Sequence, residues 1–284
     1  MGYVRLPIWI ARPGPIQTFR SAPQADRVPI HIRNGCANGL LRKIDAAKRG
    51  VAFFAGAVII AAILSSISMA YPNPSPPETI RSLRAAHDTA LDLSAQSPFW
   101  RDASPIFFEG DNYGRPVRQL RTEVRSRWTD SSLYLLFVCP YLDLNLKPSP
   151  QTKTDTNHLW NWDVAEAFIG SDFQHIRRYK EFELSPQNEW LDLDIDLDQP
   201  HRDGSKWNSG FKTAARIDPD KKIWYGAMRI PFTAIDPQQP HTSGKLRINF
   251  FRSQGASRQL LAWQTPMGES FHVPERFGIL ELTR

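Results

Sequence analysis

Three tryptophans, Trp160, Trp162 and Trp190, stand among carboxylates and short apolar runs between Asn157 and Asp198, in NHLWNWDVAEAFIGSDFQHIRRYKEFELSPQNEWLDLDIDLD. An indole face stacks on the C–H face of a pyranose, and a fixed carboxylate accepts hydrogen bonds from its hydroxyls. Rings beside acids are therefore the residue types of a sugar site; a core strand needs only the rings. In LWNWDVAEAFIG, Trp160, Trp162, Val164 and Glu166 share parity on a strand, with Asp163 and Ala165 pointing the other way. Trp160 as a stacking plate and Glu166 as an acceptor can thus project to one surface. For any single tryptophan, burial in a core is the more frequent outcome. Trp263, in the loop-rich LLAWQTPMGESFHVPERFG, offers a second plate, and two rings could face each other across a slot.

The same stretch holds a stripe of acids. Leu191, Leu193, Ile195 and Leu197 fall on one face of a strand and Asp192, Asp194, Asp196 and Asp198 on the other. Like charges about 7 Å apart along a face repel, so cations should be near. Lys212 and Arg216 of the following strand are the expected partners across the ladder; a bound calcium ion is the alternative. A hydrolytic reading would need two carboxylates with separated acidities, and no pair stands alone in an apolar setting. Glu181 and Glu183 in YKEFEL read as a solvated edge, and His158, His175 and His272 as surface or loop residues. Neither GxSxG nor HExxH occurs, and Met228, Met267 and His272 show no haem-ligand spacing.

The elements that must position these residues are strands. A helix is expected within 78–93, where Leu83, Ala86 and Ala90 fall roughly on one side. Beyond Phe99 the apolar period becomes two, with a hairpin across Thr129–Ser132. Further short strands are expected at 164–169, 179–184, 190–197, 211–217, 223–230, 246–252, 260–263 and 277–282, most bounded by Gly, Pro, Asn, Asp or Ser. About ten such strands with little helical periodicity predict an all-β domain over 95–284, an antiparallel, jelly-roll-like β-sandwich.

In order and spacing, WNWDVAEAFI, YKEFELSPQNEWLDL, WYGAMRIPFTAI, LRINFFR, LAWQT and FHVPERFGILEL resemble carbohydrate-binding module family 9 across 95–284. The resemblance implies a β-sandwich that binds sugars or polysaccharides between two tryptophans, with structural calcium whose ligands are not identifiable here. It implies Trp160 and Trp263 as the clamp and Glu166 as the acceptor, with Asp163, Asn249 and Arg252 as weaker polar correspondences. It implies no catalytic residue. Binding without catalysis, in the service of carbohydrate catabolism, is the first expectation; a glycoside hydrolase and an envelope redox or structural module are the alternatives.

The N-terminal third has a different composition. Residues 1–50 hold 9 Lys/Arg against 2 Asp/Glu, so the formal charge of +6 belongs to this basic leader and gives no reason to expect nucleic acid binding. The leader is expected to lack packed structure, and an early start codon would account for its length. Val51–Ala70 is 20 residues without a charge, preceded by Arg42, Lys43, Lys48 and Arg49 and ending in small residues. It reads as a signal helix, with an uncleaved membrane anchor as the rival. Either way the remainder is expected to be exported, secreted or held in the envelope, as a monomer. Residues 71–94 are expected to be a linker, opening with the proline-rich YPNPSPP. Cleavage would leave Cys139 without Cys36, so no disulfide framework is possible, and a buried thiol is expected at 139.

Overall fold

Alternating apolar residues from Thr122 onward build two facing half-sheets that meet at a parallel seam. The computed structural model describes residues 78–237 and 244–284. The leader, the 51–70 segment and Cys36 lie outside them.

The described strands, in chain order, are β1 (Thr79–Arg84), β2 (Ile106–Phe108), β3 (Gly110–Asp111), β4 (Thr122–Trp128), β5 (Ser132–Pro140) and β6 (Val164–Gly170). They continue with β7 (Arg178–Leu184), β8 (Trp190–Asp196), β9 (Lys212–Asp218), β10 (Ile223–Pro231), β11 (Lys245–Gln254), β12 (Gln259–Ala262) and β13 (Gly278–Thr283). Their lateral order is β8-β7-β6-β11-β13-β1-β4-β5-β10-β9, with β2 beside β4 and β12 joining β11 to β3.

The two halves pack face to face. Ala165, Ala167 and Ile169 of β6, Phe182 and Leu184 of β7 and Ile248 and Phe250 of β11 share one cluster with Leu133, Leu135 and Phe137 of β5 and Trp224 and Met228 of β10. Phe137 meets Phe250 edge to face at 5.7 Å. Gly226 leaves room for neighbouring side chains, since a Cβ there would lie 3.0 Å from Leu184 Cδ2 of the opposite layer and 2.8 Å from the Trp224 ring. The chain is thus all-β, and the expected strands from 164 onward occur within one or two residues of their predicted bounds.

Residues 78–93 differ from expectation. Thr79–Arg84 is a strand in the middle of the sheet, parallel to both β13 and β4. Ile80 and Ser82 point inward, and the Ser82 and Ser126 hydroxyls share a 2.7 Å hydrogen bond. Two parallel neighbours satisfy this backbone, which outweighs the weak helical spacing of Leu83, Ala86 and Ala90. The sheet is accordingly mixed rather than wholly antiparallel. Cys139 is fully buried, and burial pushes its thiol up to about 11, as suits an inert side chain.

Candidate functional site

The half-sheet β8-β7-β6-β11 has a second face, turned away from the core, and its register arranges the chemistry. One cross-strand row reads Phe251, Glu166, Glu183, Leu191; the next reads Asn249, Phe168, Glu181, Leu193. Three glutamates are therefore neighbours on one face. Glu166 lies directly opposite Glu183, as side chains on paired antiparallel strands do at about 5 Å between Cβ atoms.

Apolar clusters flank the acids on both sides. On the β11 side Phe168, Tyr179, Phe251 and Phe277 pack together with Phe271, whose ring stacks on Phe251 at 4.2 Å. His272 stacks on Phe168 at 5.2 Å and shares a 2.6 Å hydrogen bond with the Tyr179 hydroxyl. Arg247 holds this loop to the sheet by donating to the carbonyls of Ile176 and Pro274. On the β8 side Trp160, carried on a single 3-10 turn at Leu159–Asn161, packs with Leu159, Val164, Leu191 and Leu193.

Between these clusters Glu166, Glu181 and Glu183 are 2, 3 and 0% exposed. Glu181 and Glu183 share a carboxyl–carboxyl hydrogen bond, and no other residue donates to either oxygen of Glu183, to Oε1 of Glu166 or to Oε2 of Glu181. Burial, and then the neighbouring carboxyls, raise Glu166 and Glu183 well above the ordinary 4.5; Arg258 opposes this through space. Burial also raises Glu181, against the pull of His272. The expectation of a solvated edge at Glu181 and Glu183 is overturned, because β7 lies between β6 and β8 and both side chains are buried.

The predicted site residues separate. Trp160 and Glu166 share the outer face. Trp263 belongs to the core: it is 8% exposed, it lies 5.8 Å from Phe250, and a Cβ at Gly278 would collide with its ring. The two tryptophans therefore belong to different faces, and Phe271 is the ring across the acids from Trp160. Arg252 is buried between the layers, donating to Thr122 Oγ1 at 2.8 Å and to the Pro140 carbonyl at 3.1 Å. Asn249 clips β11 to the chain after β12, donating to the Gln264 carbonyl at 2.8 Å and accepting from its amide at 2.9 Å. Asp163 accepts from the Gly255 amide at 2.6 Å, and burial lifts its carboxyl to about 6.

The acidic stripe of β8 is paired, but not with Lys212 and Arg216. Lys180 reaches Asp194 at 2.5 Å, Arg202 binds the same carboxylate, and Arg178 meets Asp196 at 3.3 Å. Next in the chain is not next in the sheet: β9 pairs with β10, and β8 and β9 end opposite edges of the strand order. Asp192 accepts from the Ser209 amide and lies beside Asp155, whose carboxyl burial and that neighbour raise to about 6. Among the described residues no group of three or more His, Cys, Asp or Glu is arranged to hold a metal ion.

Glu181, Glu183, Phe271 and His272 were not expected as site residues. The signal available in the sequence was parity, since Glu183 and Glu181 alternate with the core residues Phe182 and Leu184.

Known proteins are similar to this chain in sequence or in fold. An extracellular protein of Arthroderma benhamiae is 29% identical over 145 residues, covering 46% of this chain and 64% of the relative's length. A candidate carbohydrate-binding protein of Bacteroides uniformis superposes with a TM-score of 0.59 at 16% identity, over 73% of this chain and 100% of that one. A family 9 carbohydrate-binding module of Caldicellulosiruptor kristjanssonii, in complex with cellotriose, superposes with a TM-score of 0.51 at 13% identity, over 72% and 94%. At these identities the superpositions establish the fold. The family model for carbohydrate family 9 binding domain-like proteins matches residues 88–284, which takes in every strand except β1, and the chain belongs to that family.

Proposed function

We propose that the chain binds carbohydrate without catalysis, outside the cell, on the outer face of β6, β7, β8 and β11. The observation that carries this reading is the Glu166–Glu183 pair, buried between Trp160 on one side and Phe271 on the other, with no donor from outside the group of three glutamates. A pyranose laid there gives the rings its C–H faces, and its hydroxyls hydrogen-bond with the carboxyls, to which no other side chain donates. Export is supported by the charge-free run at 51–70 with its basic flank and by the name of the fungal relative. The Caldicellulosiruptor modules hold cellotriose or glucose, so glucose-based ligands are the first to test.

Titration calorimetry of the full chain with cellotriose tests the reading. Trp160→Ala should weaken binding by about 1–2 kcal/mol, the worth of one stacked ring, and unaltered affinity in that variant would refute the site.

Hydrolysis has one observation in its favour, the facing pair Glu166 and Glu183. Acid and nucleophile must be pushed apart in acidity, however, and here both are pushed up. Release of reducing sugar, abolished by Glu166→Gln, would establish it. A structural calcium ion has less support, because Asp155 and Asp192 form only a pair and calcium takes six to eight oxygens.

A further inference from the structure

We infer that the preferred ligand of this face is a sugar bearing a protonated amine, its ammonium seated among Glu166, Glu181 and Glu183; this rests on the carbohydrate-binding reading above. The three side chains converge from adjacent positions of two paired strands, and beyond the hydrogen bond that Glu181 and Glu183 share, no residue donates to four of their buried oxygens. A neutral pyranose presents its hydroxyls dispersed around the ring, one proton each. An ammonium presents three donors and a full charge from a single atom, which matches several acceptors gathered at one place.

The protein offers little countercharge of its own there. Arg258 acts on Glu166 and Glu183 only through space, from the turn between β11 and β12, and is itself exposed. His272 acts on Glu181 from the loop before β13 and is exposed, with its ring nitrogen engaged by the Tyr179 hydroxyl. From the flanking strands, β8 presents Leu191 and Leu193 to this face and β11 presents Phe251 and Asn249, of which Asn249 is committed to Gln264. Without ligand, burial and the neighbouring carboxyls favour the neutral form of Glu166 and Glu183. When the ammonium enters, a carboxyl ionises, the displaced proton passes to solvent, and the walls of Trp160, Leu191 and Phe251 shield the new ion pair from water.

The test is calorimetry on the full chain at about pH 6 with three matched β-1,4-linked trisaccharides: the glucosamine trimer, its N-acetylated form and cellotriose. Charge-assisted hydrogen bonds in a buried site should favour the amine by about tenfold or more. Its binding heat should vary with the ionisation enthalpy of the buffer as protons are released. Glu183→Gln, of the same shape, should bring the ratio of amine to hydroxyl affinity close to one. Three equal affinities would overturn the inference and leave carbohydrate binding standing; binding of none would remove both. A preference that survives in both Glu183→Gln and Glu166→Gln overturns it too. So does hexylamine binding as tightly as the glucosamine trimer, which would mark a site for amines rather than for sugars.

Discussion

The half-sheet β6-β7-β11 has two faces made from the same strands, and they obey different rules. Inward, Ala165, Ala167, Ile169, Phe182, Leu184, Ile248 and Phe250 are all apolar and all buried. Outward, Glu166, Glu181 and Glu183 are buried as deeply, and four of their oxygens have no donor beyond the glutamates themselves. Close packing of apolar groups stabilises the fold, whereas a carboxyl buried without a partner works against it. A face kept at such a cost is best explained by something other than stability. The two tryptophans illustrate the division, with Trp263 packed into the core from the inner face and Trp160 half-buried on the outer one.

Trp263→Ala should give the largest effect, a loss of about 3–5 kcal/mol of stability, read from urea unfolding. The protein that remains folded should still bind cellotriose; loss of binding at unchanged stability would reverse the roles of the two rings. The acids should respond to pH. Their folded-state acidities lie above the ordinary 4.5, so between those values the unfolded chain has lost protons that the folded chain keeps. Stability should therefore be full below about pH 4.5 and fall above it, by about 1.4 kcal/mol per pH unit for each such group. Unfolding midpoints measured from pH 4 to 7.5 check this, and Glu183→Gln should flatten the slope.

Trp160→Ala comes third, with about 1–2 kcal/mol lost from sugar binding and less than about 1 kcal/mol from stability, as befits a half-buried ring on one turn. Smallest should be Arg177→Ala, which removes an exposed 2.6 Å pair with Asp198. It should cost about 0.5 kcal/mol or less, and that little should vanish in high salt.

Much of this was legible in the alternation of residue types. Val164–Gly170, Ile223–Pro231 and Gly278–Thr283 announce themselves as strands because each must bury one face, and Trp160 and Glu166 share parity whatever the sheet. What alternation does not carry is lateral order. Glu181 and Glu183 look like an edge until β7 is found between β6 and β8, and Lys212 looks adjacent to Asp194 until β9 is found pairing with β10. Trp263 misleads for a related reason. An indole suits a core and a sugar site equally, and only its place beside Phe250 and Gly278 decides between them.

The parallel seam has a consequence for how the body is made. Thr79–Arg84 is bonded on one side to Gly278–Thr283, a segment separated from it by almost the whole described chain. Until β13 is in place, β1 has an open flank and the two layers cannot be joined through it. Closure is thus a long-range event, and deletion of β13 should harm the whole assembly rather than fray one edge of it.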